Sequence, residues 1–101
     1  MNTVAALPSL EDLRKHVLAV LCKHDNLDPQ ATPLHEGPIT RSGRVCGLFY
    51  QVQGPRRLRT YALWASEEHR ILFYDSTGMR FGETRLSDAP DTPKQAARRA
   101  A

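Results

Sequence analysis

All seven aromatic residues of this 101-residue chain lie between Phe49 and Phe81. Three turn signals divide that span into short apolar runs: Gly54-Pro55, Ser66-Glu67-Glu68-His69 and Asp75-Ser76-Thr77-Gly78. Runs of four to eight residues rich in aromatic and branched side chains and bounded by such clusters read as antiparallel strands joined by hairpins. A β-meander is therefore the heart of the fold, and the other segments are to be placed around it.

The N-terminal third supplies a helix. Ser9 is a good N-cap, with Asp12 three residues on and Glu11 and Asp12 in the first turn, where acids favour the helix dipole. Leu10, Leu13, Val17, Val20 and Leu21 then recur at helical spacing, and Asn26 follows Lys23-His24 as a C-terminal cap. Residues 1–8 read as a loose lead-in. Residues 25–43 hold Pro29, Pro33, Pro38, Gly37 and Gly43, which predicts a broken loop with a turn after Asp28-Pro29. A short edge strand near Ile39 is expected to return through Ser42-Gly43, because Pro38 fits an edge and not a central strand. Residues 87–101 read as a flexible basic tail, leaving 9–86 as one domain. The expected class is α+β: one helix on an antiparallel meander of four strands, or five if the Ile39 segment joins.

Composition bounds the function classes. With 41% apolar and 25% charged residues, the chain is an ordinary globular domain of common size. No run approaches the roughly 20 apolar residues of a membrane span. The first residues lack the basic start and apolar length of a secretory signal. Cys22 and Cys46, without metal-ligand spacing, suggest reduced thiols and a cytoplasmic setting. The histidines at 16, 24, 35 and 69 show no zinc-site spacing and there is no glycine-rich phosphate loop, so neither metal nor cofactor is expected.

Register can be argued from the loops. If each hairpin loop holds an even number of residues, Phe49 pairs with Ala62, Trp64 with Ile71, Ala62 with Phe73, and Phe73 with Arg80. Alternation then places Leu48, Tyr50, Val52, Tyr61, Leu63, Leu72, Tyr74, Met79 and Phe81 on one face, which the helix should cover. The second face shows Phe49, Trp64, Ile71, Phe73 and Arg80. A solvated sheet face is normally polar, so an aromatic one predicts a partner or a cover. Cover by the 25–43 segment, a sheet-to-sheet homodimer, and a different protein or a ligand are the three ways to hide it.

The leading functional reading is thus a non-enzymatic interaction or self-association module working through that face. Single-stranded nucleic acid is the alternative. Eight of the chain's arginines lie between residues 41 and 85. Arg56, Arg57 and Arg59 surround one hairpin tip, and aromatics beside arginines suit base stacking with phosphate neutralisation. A small enzyme with a Cys46–histidine pair is third, since Cys46 near His35 or His69 would supply a thiolate and its base. The run Leu72–Gly78 resembles the hydrophobic-Asp-Thr/Ser-Gly motif of aspartic proteases, but an extra residue separates Asp75 from Gly78. A hairpin loop with Asp75 accepting backbone N–H bonds and Gly78 at positive φ explains it better. No catalytic residue is assigned.

Overall fold

The computed structural model describes residues 1–54 and 58–90, which form one helix and a six-stranded sheet. In chain order these are β1 (Asn2–Ala6), α1 (Leu10–Asp25), β2 (His35–Arg41), β3 (Arg44–Gln53), β4 (Arg59–Ala65), β5 (Arg70–Tyr74) and β6 (Arg80–Asp88). A single 3-10 turn, Ser66–Glu68, joins β4 to β5. The sheet order is β1-β6-β5-β4-β3-β2, antiparallel throughout except that β1 runs parallel to β6. The α+β class holds, with the meander flanked by one more strand at each edge than its four-strand core.

The helix begins and ends where local chemistry dictates. Ser9 accepts the Asp12 N–H at 3.1 Å, and Asn26 adopts the left-handed conformation at φ 55°. Leu13, Val17, Leu21 and Cys22 are its fully buried residues. The helix lies lengthwise on the sheet and is tied to both sides. From one flank Arg14 reaches Glu36 on β2 at 2.6 Å, and from the other His16 meets Thr84 on β6 at 2.9 Å. Near its C-terminal end His24 stacks on Phe81, ring centroids 3.9 Å apart.

One segment differs from its sequence expectation, and a second forms the expected turn and edge strand without serving as a cover. Residues 2–6 are a strand and no loose lead-in. Thr3 and Thr84 share a hydroxyl hydrogen bond of 2.8 Å, and the N-terminal ammonium donates to the Phe81 carbonyl at 3.2 Å. Five residues of modest β propensity give little sequence signal, and their pairing with the far end of the chain gives none. The 25–43 segment does not fold over the second face. After the Asp28–Ala31 turn it enters β2, which pairs along β3 from His35↔Gln51 to Arg41↔Arg44. Ser42 (φ 53°) and Gly43 (φ 77°) close that hairpin, the two consecutive positive angles a tight two-residue turn requires.

The pairing of β3 with β4 is one residue away from the even-loop expectation. Tyr50, and not Phe49, lies opposite Ala62, and Leu48 lies opposite Trp64. The reason is an odd loop: Gln53 pairs with Arg59, and Gly54 donates its N–H to the Leu58 carbonyl at 2.7 Å. The β4–β5 register is as expected, with Trp64↔Ile71 and Ala62↔Phe73. Between β5 and β6, Phe73 pairs with Gly82 and Tyr74 with Arg80, so Phe81 is the extra residue of a bulge.

That single-residue slip inverts the helix-side assignment for β4 and β5. Tyr50 and Val52 from β3, Ala62 and Trp64 from β4, and Ile71 and Phe73 from β5 are all fully buried with the helix residues in one core. Each large side chain buried there stabilises the fold by roughly 1.5–3 kcal/mol. Trp64, Ile71 and Phe73, expected on an open face, are the floor of the core under the helix. Tyr61, Leu63, Leu72 and Tyr74, expected under the helix, are on the other side. Met79, expected with them, is 67% exposed in the β5–β6 loop.

Candidate functional site

The face turned away from the helix is the candidate site. Cross-strand partners share a face, so the pairing builds it row by row. His35, Gln51, Tyr61, Tyr74 and Arg80 form one row, and Gly37, Phe49, Leu63, Leu72 and Glu83 the next. Ile39, Gly47, Ala65, Arg70 and Arg85 form a third, which Val4 of β1 extends. Five large apolar or aromatic side chains thus adjoin at the centre of the face. Tyr61 stacks on Tyr74 with ring centroids 5.1 Å apart and 11° between planes, and Phe49 leans on Tyr61 at 5.8 Å. These rings are half-buried, shielded by one another. Among the described residues no helix or loop lies over them.

Toward the β2–β3 hairpin the same face deepens into a groove of about 630 Å³. Ile39, Leu63 and Leu72 give it an apolar lining, Arg41 and Arg44 stand on the hairpin, and Glu67 and Glu68 stand on the turn after β4. Gly47 is required here by close approach: a Cβ on it would lie 2.1 Å from the Trp64 carbonyl oxygen. Arg70 bridges Glu68 at 2.8 Å and Glu83 at 3.1 Å, and its guanidinium is held more strongly protonated by the Glu83 hydrogen bond. The arginine therefore neutralises one acid on the turn and one on β6.

The sequence-predicted interaction residues are divided by this geometry. Phe49 and Arg80 are on the open face. Trp64, Ile71 and Phe73 are beneath the helix with no exposed surface and cannot touch a partner. Of the three arginines assigned to nucleic acid, Arg56 and Arg57 lie outside the described residues. Arg59 pairs with Gln53 and alternates onto the open face beside Tyr61. Sequence reasoning missed Tyr61, Leu63, Leu72 and Tyr74, although their period-two alternation was visible; only the side of the sheet was misjudged.

Among the described residues the other polar groups have local structural partners. Cys46 is the extra residue of the bulge opposite Ile39 and Thr40, and its Sγ donates to the Ile39 carbonyl at 3.5 Å. The described contacts of the histidines lie elsewhere: His16 with Thr84, His24 with Phe81. Among the described residues no three His, Cys, Asp or Glu side chains cluster to hold a metal ion. Asp75 is a loop-former, accepting from the Thr77 hydroxyl at 2.6 Å and from the Met79 N–H at 3.0 Å, with Gly78 at φ 89°. Those bonds, the hydroxyl first, hold its carboxyl below the usual range. On the helix side, burial pushes the His16 imidazole below its ordinary pKa. The Tyr50 hydroxyl is pushed well above the ordinary phenol value by burial and by Glu36.

Among the described residues no helix is long and apolar enough to cross a membrane. Comparison with protein-family models, with curated proteins and with solved structures finds no match to this chain.

Proposed function

We propose that this protein is a non-enzymatic interaction module whose contact surface is the open face of the sheet, centred on Phe49, Tyr61, Leu63, Leu72 and Tyr74. One observation carries the reading. Among the described residues the six-stranded sheet has a helix on one side only, and the other side carries contiguous aromatic and aliphatic side chains where a solvated face would be polar. Tyrosine and arginine are the residues that most often dominate contact energetics, and both border this patch. Two free cysteines suit a reducing compartment, and the cytoplasm is the setting assumed here.

Side-chain footprinting inside cells tests it. Tyr61 and Tyr74 should be protected from labelling in the wild-type chain and labelled once Leu72→Lys disrupts the surface. Equal labelling of both chains would remove the contact surface from consideration.

A second reading is supported by the opposite end of the same face. Arg59 and Arg80 share it with the stacked Tyr61–Tyr74 pair, an arrangement suited to stacking bases and neutralising phosphates of a single strand. Binding of a single-stranded oligonucleotide at low salt, weakened by Arg59→Ala and Arg80→Ala with a flatter salt dependence, supports this reading. Absence of binding at low salt ends it.

A further inference from the structure

We propose that the partner on the open face is a second copy of this chain, related by a twofold axis running along the groove. Arg41 and Arg44 of one copy then meet Glu67 of the other over apposed Leu63 and Leu72. The proposal rests on the open-face reading above and specifies its occupant.

Charge is the first argument. Arg41 and Arg44 lie directly opposite each other at the hairpin tip, and like charges so placed repel. Among the described residues neither arginine forms an ion pair, and neither does Glu67. The groove thus has a positive side on the hairpin and a negative side on the turn after β4, with apolar side chains between. A twofold axis in the plane of the face exchanges the two sides, so that each positive side meets a negative one. Arg70 already bridges Glu68, so Glu67 is the acid left to meet a cation, and a partner of a single charge sign would match only one side of the groove. The surface is complementary to itself.

Size is the second argument. With strands about 4.8 Å apart and about 3.3 Å of rise per residue, six strands of about six residues present roughly 500 Å² in projection. Side-chain relief raises the accessible area toward the roughly 800 Å² per partner of a standard stable interface. The edges offer less. The β2 edge carries Pro38, which has no N–H to donate, and the β1 edge is a strand of five residues. Face-to-face packing is the mode these features leave open.

Complementary charge reversal tests the proposal on the intact chain, with sedimentation as the readout and circular dichroism as the check that each variant is folded. The wild type should be a dimer. Arg44→Glu and Glu67→Arg should each raise the dimer dissociation constant about tenfold or more, because symmetry places each change in two contacts. Mixing the two variants in equal amounts should restore a heterodimer, since each then supplies the charge the other now needs. A wild type that stays monomeric at every concentration overturns the proposal, as does a dimer that neither substitution weakens or that mixing fails to restore. Protection of Tyr61 and Tyr74 in cells, with a monomeric purified chain, would keep the contact surface and reject the second copy as its occupant.

Discussion

Tyr61 stacks on Tyr74 with ring centroids 5.1 Å apart on the side of the sheet away from the helix. Their chain neighbours Ala62 and Phe73 pair across the same two strands underneath it. One strand pair therefore presents a core face and an apolar outer face, and substitutions at adjacent positions should have opposite consequences.

Phe73→Ala should cost about 3–5 kcal/mol, because it empties a fully buried site in the core. Leu72→Lys, one residue earlier, should leave the melting temperature of dilute protein nearly unchanged. Chemical denaturation of the two variants at low concentration checks the contrast. Equal losses would mean that both faces are covered.

Gly47→Ala should destabilise the chain by roughly 1–3 kcal/mol. The added methyl would stand 2.1 Å from the Trp64 carbonyl oxygen, and that backbone cannot yield without moving β4 against β3. A variant with wild-type denaturation would show that β3 and β4 leave room for a methyl group at this position.

Acid should remove stability in two separable stages. The His16 pKa is lowered from 6.5 by burial, so below pH 6.5 the unfolded chain takes the proton before the folded one. Its contribution is complete above that value and is lost as pH falls through the lower folded pKa. Glu36 is held below its ordinary 4.5, chiefly by the hydrogen bond from Arg14, so its contribution is complete above 4.5 and is lost at still lower pH. His16→Gln, which can still bond Thr84, should flatten the first stage and leave the second. Thermal melts between pH 7 and pH 3 measure both.

A chain beginning at Leu7 should melt at least about 5 °C lower than the full one. It loses the ladder of β1 on β6, the Thr3–Thr84 hydroxyl bond and the ammonium contact at Phe81. It also leaves β6 as an open edge, so raised association by edge pairing is the second expected sign. Unchanged melting would make β1 dispensable to the fold.

What the sequence determined by itself is local. Ser9 and Asn26 bound the helix because a hydroxyl cap and a left-handed terminator act within one turn. Asp75 and Gly78 form their loop for the same kind of reason, through bonds spanning at most four residues. The α+β class, the meander and the edge position of the Pro38 segment were legible in the same way. The side of the sheet on which each side chain lies was not. In β4 and β5 both alternating sets are apolar, Tyr61 and Leu63 against Ala62 and Trp64, Leu72 and Tyr74 against Ile71 and Phe73. Hydrophobicity then cannot choose between them, and the choice passes to the parity of one loop. Closing Gln53 on Arg59 instead of Leu58 turned Trp64 and Phe73 toward Leu13 and Val17, and Tyr61 and Tyr74 outward. The pairing of β1 with β6 joins residues about 80 positions apart, and no local propensity records a contact of that span. Tertiary packing decided both, because only the assembled sheet shows which apolar set the helix can fill.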